Sequence, residues 1–172
     1  MGLVTERGSQ AARGELNKPQ NGSRTLPDFL SGGGQVGEAM RSLDWSGSPV
    51  GDPDTWPQSL RSMVRLMLTT EVPVGLYWGT ERAFLYNDAL SALLDPERHP
   101  GALGRPGAEV WPDIWPELGP QIDAAMRGSG DLTRTESRRW LVRDGVHQET
   151  WWNTSLSPID DPSSADGVGG VL

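Results

Sequence analysis

The chain has 172 residues, a formal net charge of -8 and no cysteine. Its length fits one domain, or one domain with a tail. Its negative charge argues against nucleic acid and anionic membranes as partners, and the missing thiols exclude disulfides, iron–sulfur clusters and cysteine-based zinc sites. The N-terminal residues lack the apolar core of a signal peptide, and the longest apolar clusters are far shorter than a membrane span. We therefore expect a cytoplasmic protein.

We expect residues 1–27 to form a disordered leader, because polar and charged residues dominate there without an apolar period. Residues 28–71 are predicted to form a helical extension ahead of the main domain. Its first helix follows the glycines of SGGGQVGEAMRSLDW, and its second spans residues 57–70. The second helix is amphipathic, since apolar residues recur at the spacing of one helical face. These residues are Leu60, Met63, Val64 and Met67.

A β-hairpin is predicted where the apolar period changes from helical to alternating. In VPVGLYWG, from Val72 to Gly79, every second residue shares a face, and AFLYND follows directly after the turn GTER. Two such runs separated by a short turn are typical of an antiparallel hairpin. The residues NDALSALLD then predict a short helix capped by Asn87 or Asp88, because either side chain can accept from the free amides of a first turn.

Two tryptophan-proline pairs lie in EVWPDIWPELGP, from Glu109 to Pro120. Proline inside a helix costs about 3 kcal/mol or more, whereas proline at the first helical position is tolerated. We therefore expect short helical turns, each with a tryptophan just outside it, and we expect Trp111 and Trp115 to act mainly as packing anchors. A separate helix is predicted in LGPQIDAAMRG.

The C-terminal part predicts three more strands. Two long strands, DLTRTESRRWLVRDG and VHQETWWNTSLSPIDD, are joined by a turn at Asp144 and Gly145. GVGGVL begins a further strand, which we expect to be truncated and to leave an exposed, incomplete edge. Strand pairs joined by tight turns, with helices inserted between the second and third strands, indicate an α+β domain with an antiparallel sheet and helices on one face.

Several motifs follow one another along the chain: DWSGSPVGDPDTWPQSL, YWGTERAFLYNDAL, HPGALGRPGAEVWPDIW and SLSPIDD. The most specific steps are Tyr86-Asn87-Asp88 and Gly104-Arg105-Pro106. In these features, most of residues 29–172 resembles the PAS sensor domain at the N-terminus of bacterial sensor histidine kinases. The resemblance implies a PAS-like five-stranded antiparallel sheet with helices on one face over residues 72–172, preceded by N-terminal helices and with the last strand incomplete.

The resemblance implies a regulatory role for this chain. Such a module is the input of a two-component signalling system, and protein-histidine kinase activity would lie downstream of it, so we expect no catalytic residues here. The helix-covered sheet face would either enclose a small molecule or be filled by side chains. The candidate pocket residues are Trp78, Tyr86, Trp111, Trp115, Trp140 and Trp152.

The expected partners are a small-molecule ligand, a second copy of the chain in a homodimer, and a downstream kinase or effector domain. An alternative from a different class is a ligand-free PAS-type domain for dimerisation or protein interaction. It would use the amphipathic helix over residues 57–70 and the outer sheet face, while the aromatic residues fill the core.

The remaining motifs favour no particular cofactor. GGGQVG matches G-x-G-x-x-G, but a dinucleotide site needs a strand before the glycines, so we expect only a glycine-rich helix entry. Haem is not expected, because His99 and His147 lie outside the helix in which the resemblance places an axial histidine. Two histidines without cysteine are also a poor basis for a metal site. A cysteine-adduct flavin is excluded, whereas a noncovalent flavin or another planar ligand stays open.

Overall fold

The structure is a computed structural model, and it describes residues 27–94, 98–128, 135–143 and 146–172. For residues 135–143 and 146–153 it describes the backbone alone, except at Glu149. The disordered leader predicted for residues 1–27 therefore lies outside the described residues, apart from Pro27.

The described residues form an α+β fold, which confirms the predicted class. Their α-helices are α1 (Gly34–Ser42), α2 (Gln58–Thr69), α3 (Asp88–Ser91), α4 (Gly107–Val110) and α5 (Trp115–Met126). Their strands are β1 (Gly75–Trp78), β2 (Ala83–Tyr86), β3 (Thr135–Arg143), β4 (Val146–Thr154), β5 (Pro158–Asp160) and β6 (Val168–Val171). Short 3-10 helices span Asp28–Leu30, Trp45–Gly47 and Pro53–Thr55.

The strands form two antiparallel groups. One is a four-stranded sheet with the order β2-β1-β6-β5, and the other is the β3-β4 hairpin. The helices α3, α4 and α5 lie between β2 and β3 in the chain, where the sequence predicts helices. The five-stranded sheet implied by the resemblance differs from this arrangement, because in the described residues the sheet has four strands and β3 pairs with β4 outside it.

The N-terminal helices share one hydrophobic core with the sheet. α2 buries Leu60, Val64 and Met67, as their helical spacing predicts. The same cluster of buried residues contains Leu76 of β1 and Leu85 of β2. The segment predicted as a helical extension thus contributes to the core of the domain that it precedes.

α5 runs through Pro120, whereas the sequence predicts short turns and a separate helix. Trp115 is the first residue of α5 instead of lying outside it, and Pro116 occupies the first turn, where the N–H has no helical acceptor. Pro120 lies further inside and removes a main-chain hydrogen bond. Leu118 and Ile122, on either side of Pro120, are buried, and this tertiary packing outweighs the local cost.

The second predicted long strand is divided in two, and the last strand is not an edge. β4 ends at Thr154 and β5 begins at Pro158, and the first residue of a strand is a position where proline is tolerated. Ser157 exchanges both backbone hydrogen bonds with Leu172, at 2.9 Å each, so pairing resumes at once. β6 lies between β1 and β5 and is therefore paired on both sides, which corrects the predicted exposed edge.

Asn87 holds the connection between α2 and β1. Asn87 is 2% exposed. Its Oδ1 accepts from the backbone N–H groups of Val74 (3.1 Å) and Leu90 (3.0 Å). Its Nδ2 donates to the carbonyl oxygens of Thr70 (2.9 Å) and Val72 (2.8 Å). Asn87 is thus the predicted cap of α3. Because the connection is held in this way, β1 begins later than the predicted strand.

Replacing Asn87 by Asp keeps the shape of the side chain but removes both amide donors. The carbonyl oxygens of Thr70 and Val72 then face a carboxylate, so N87D should lower the free energy of unfolding by at least about 3 kcal/mol. Urea unfolding measures this loss. The matched control is Gln58→Glu, the same amide-to-acid change at an exposed position, which should stay within about 0.5 kcal/mol of wild type. An equally small effect of N87D would contradict the role given to Asn87.

A candidate ligand-binding face beneath the helices

Three aromatic residues form a row on one face of the β1-β2 hairpin. The register pairs Tyr77 with Phe84, and Tyr86 lies two residues further along the same face, because successive strand residues point to opposite faces. The ring centroids of Tyr77 and Phe84 are 5.0 Å apart, and those of Phe84 and Tyr86 are 5.1 Å apart. All three are buried. This aromatic row is the floor of the candidate site.

Trp111 and Trp115 cover the aromatic row. The Trp111 ring packs edge-on against Phe84 with centroids 5.6 Å apart, and the Trp115 ring lies 6.2 Å from that of Tyr77. Trp111 caps the C-terminus of α4, and Trp115 begins α5. The turn between the two helices therefore presents both indoles to the sheet, where they bury large apolar surface.

Two glycines give the Trp115 ring its space. A Cβ at Gly107 would lie 2.5 Å from Cη2 of this ring, and a Cβ at Gly119 would lie 3.0 Å from its Nε1. The backbones of α4 and α5 thus approach the indole more closely than a side chain would allow.

Arg82 ties the hairpin turn to α5. Its Nη2 and Nε donate to Oδ1 of Asp123, at 2.7 and 3.1 Å. Its Nη1 donates to the carbonyl oxygens of Gly79 (2.5 Å) and Thr80 (3.0 Å). Arg82 has a left-handed φ of 55°, which is uncommon for a residue other than glycine. These contacts compensate that backbone conformation and connect the floor of the site to its cover.

The Tyr86 hydroxyl is a buried polar group at one end of the aromatic row. It lies 3.0 Å from Nδ1 of His99. Burial raises the pKa of Tyr86 to about 12, so the hydroxyl keeps its proton at neutral pH. It can donate this proton to Nδ1 in the His99 tautomer whose Nδ1 is unprotonated.

Trp111 brings an unsatisfied donor to the site. Its Nε1 is buried and has no hydrogen-bond partner among the described residues. Arg98 lies over the same ring, with Cζ 4.8 Å from the centroid, and its Nη1 donates to the carbonyl oxygen of Val110 at 2.5 Å. An unpaired buried N–H costs free energy, so a ligand that supplies an acceptor at this position would relieve that cost.

The Gly104-Arg105-Pro106 step covers the outer edge of β2. The Gly104 N–H donates to the Phe84 carbonyl, and the Phe84 N–H donates to the Arg105 carbonyl, both at 2.8 Å. Gly104 has a φ of 73°, and a Cβ there would lie 2.8 Å from the Trp45 ring. Only glycine fits this position, and the pairing closes an edge that would otherwise be open to another strand.

The structure brings three of the six predicted pocket residues together. Tyr86 belongs to the aromatic row, and Trp111 and Trp115 lie over it. Trp78 pairs with Ala83, so it lies on the opposite face of the hairpin from Tyr86. These two residues therefore do not line one cavity.

The other two predicted residues, Trp140 and Trp152, belong to β3 and β4, and their side chains lie outside the described residues. Tyr77 and Phe84 also belong to the site, although neither was among the predicted pocket residues. The alternation of strand residues could have identified them. Phe84 stands two residues before Tyr86 in the same strand and therefore shares its face, and the short turn pairs Phe84 with Tyr77. No comparable signal links His99 to Tyr86, since α3 lies between them in the chain.

The glycine-rich motif GGGQVG is a helix entry whose anion position is already occupied. The backbone N–H groups of Gln35 and Val36, in the first turn of α1, donate to the two carboxylate oxygens of Asp88, at 3.0 and 2.7 Å. A Cβ at Gly34 would collide with this carboxylate. A negative charge at a helix N-terminus satisfies the free amides and the helix dipole. These amides are therefore not free to bind a pyrophosphate.

A cleft of about 350 Å³ lies beside this cap, between the α2-β1 connection and the start of α3. Its walls include the carboxylate residues Glu71 and Asp88. Two negative charges disfavour an anionic ligand there, which agrees with the occupied helix N-terminus.

In the part of the chain that the structure describes, no helix has both the length and the apolar character that crossing a bilayer requires. Comparison of the chain with protein-family models, with curated proteins and with solved structures finds no match.

The buried hydroxyl of Tyr86 predicts a specific response to alkali. Its pKa is raised to about 12 in the folded chain, whereas an unfolded tyrosine titrates near 10. The unfolded chain therefore binds fewer protons between these values, and stability should fall as the pH rises from about 10 to about 12. Ultraviolet titration of the two tyrosines should show a step near pH 12 that loses the contribution of one tyrosine in Tyr86→Phe, whereas Tyr77→Phe should retain a step near pH 12. A step near pH 12 of unchanged size in Tyr86→Phe would refute the assignment.

The occupied N-terminus of α1 predicts that nucleotides do not stabilise the protein. NAD and ATP should leave the melting temperature unchanged, whereas a ligand at 100 times its dissociation constant would add about 2.7 kcal/mol. Asp88→Ala should cost about 1 to 2 kcal/mol, because it removes the cap. Asp166→Ala, at an exposed position, is the control and should cost far less. A nucleotide-dependent rise in melting temperature for the wild-type protein would overturn this interpretation.

Proposed function

We propose that the chain is a sensory and regulatory domain of the PAS type, which is not catalytic by itself and which controls a downstream partner such as a protein-histidine kinase. The observation that carries the proposal is an antiparallel sheet whose aromatic row is covered by Trp111 and Trp115, from helices inserted between β2 and β3. A sheet face enclosed by a helical segment is what the resemblance implies for a sensor.

The two groups of strands support the same proposal. β4 and β5 are separated only by residues 155–157, so in the proposed domain they are two halves of one strand. β3, which pairs with β4 along its whole length, then extends the sheet beyond β5. The proposed domain has five strand positions in this arrangement. A cytoplasmic location and a homodimeric state belong to the same proposal.

The proposed ligand is small, flat and mostly apolar, with at least one hydrogen-bond acceptor. Aromatic walls favour flat and apolar molecules, and the aromatic row with its two covering indoles supplies such walls. The acceptor follows from Trp111, whose buried Nε1 has no partner among the described residues. A ligand carbonyl or ring nitrogen beside this indole would satisfy the donor.

A second candidate function is a ligand-free domain for dimerisation or protein interaction. The close spacing of the rings favours it, because Tyr77, Phe84 and Tyr86 already bury one another with centroids about 5 Å apart. In this function, α2 and the outer sheet face would contact the partner, and the aromatic cluster would serve only as core.

Native mass spectrometry separates the two functions. Beside the denatured spectrum, the native spectrum of the sensor should show an extra mass that disappears on denaturation. Trp111→Phe should lose most of this mass, because it keeps an aromatic ring but removes the Nε1 donor. Trp56→Phe should retain it, since Trp56 packs against Trp45 and Phe29 in the N-terminal part of the core. A wild-type spectrum without extra mass would contradict ligand sensing and favour the ligand-free domain.

A further inference from the structure

α2 is a basic element in an acidic chain. The formal net charge of the chain is -8, yet α2 contains Arg61 and Arg65 and no aspartate or glutamate. Arg41 from α1 reaches the same region. We call Arg41, Arg61 and Arg65 the arginine cluster.

The arginine cluster converges on the segment that precedes α1, residues 28–32. Arg41 Nη1 donates to the carbonyl oxygens of residues 30 and 32, at 2.7 and 2.8 Å. Arg65 Nη1 donates to the carbonyl oxygen between them, that of residue 31, at 2.6 Å. Arg61 lies over the ring of Phe29, with Cζ 5.6 Å from the centroid. The acceptors of Arg41 and Arg65 and the ring beneath Arg61 thus all belong to one short segment, around which the three positive charges gather.

Among the described residues, the arginines of the cluster donate to uncharged acceptors. Ion pairs in the described part of the chain involve Arg82 and Arg105, whereas the cluster donates to backbone oxygens and to the hydroxyl of Ser31. A carbonyl satisfies a donor without neutralising its charge. Each guanidinium has five N–H donors, so the cluster retains both charge and donors for a partner.

One exposed apolar residue lies next to the cluster on α2. Among the described residues, the exposed large apolar side chains are Leu66, which is 50% exposed, and Val72, which is 62% exposed. Leu66 directly follows Arg65 and shares the exposed side of α2 with Ser62 and Thr69. A basic surface with an apolar residue beside it fits a partner that carries carboxylates next to an apolar side chain.

We propose that Arg41, Arg61, Arg65 and Leu66 form a docking surface for an acidic segment of another protein. The carboxylates of that segment pair with the guanidinium groups, and one of its apolar side chains packs on Leu66. Charge complementarity selects this occupant, because the acidic remainder of the chain repels an acidic partner and confines its binding to the basic surface. The surface needs no ligand on the aromatic row, so its function is independent of sensing.

Fluorescence anisotropy tests the docking surface with a labelled synthetic helical peptide that has glutamates and a leucine on one face. The full-length chain should bind this peptide at low salt, and binding should weaken as salt rises. Arg61→Gln and Arg65→Gln should each weaken binding about threefold to tenfold, and Arg65→Lys should restore part of it. Leu66→Ser, which changes an exposed side chain, should also weaken binding. Arg105→Gln, outside the cluster, is the matched control and should change affinity less than about twofold.

Four outcomes would overturn the proposal. The wild-type chain fails to bind the peptide, or Arg105→Gln weakens binding as much as the cluster variants do. Vesicles of anionic phospholipid bind the chain through the same residues, which would make the occupant a membrane. Sedimentation shows self-association that Arg65→Gln and Leu66→Ser abolish, which would make the occupant a second copy.

Discussion

The structure depends on one step at the end of β2, Tyr86-Asn87-Asp88, where three consecutive side chains hold three different segments. Tyr86 contacts His99 in the loop after α3, Asn87 binds the connection between α2 and β1, and Asp88 caps α1. The chain leaves the sheet at this step, so the three consecutive side chains point in different directions and each reaches a different segment. His99, the connection and the first helix are therefore each held directly by this step of the chain.

The candidate site follows from this constraint. From His99 the chain runs to Gly104, pairs along the edge of β2 and enters α4, whose C-cap is Trp111. The contact of Tyr86 with His99 thus helps to determine where the cover of the aromatic row begins. In the proposed function, a ligand that displaces Trp111 changes contacts that reach the edge of β2, and the sheet carries that change to the rest of the molecule. Arg82 provides a second connection, between the hairpin turn and α5.

Local patterns were enough to predict the α+β class, α2, the hairpin and the cap of α3, because helical spacing, strand alternation and capping depend on residues near one another in the chain. Three features depend on distant residues and were not predicted. α5 continues through Pro120 because tertiary burial outweighs a local cost. Trp78 and Tyr86 lie on opposite faces because the hairpin register determines which residues of the two strands share a face. Asp88 occupies the N-terminus of α1 although the two elements are far apart in the chain.

The most direct test of the account is the indole N–H resonance of Trp111, recorded by NMR on nitrogen-15-labelled protein and assigned with Trp111→Phe. The spectrum of the protein as purified is compared with that of protein unfolded, freed of small molecules and refolded. Ligand sensing through the aromatic row predicts that the Trp111 resonance moves, because its Nε1 loses an acceptor, while the resonances of Trp45 and Trp56 stay in place. Superimposable indole spectra would contradict ligand sensing and leave the aromatic row as a packed core.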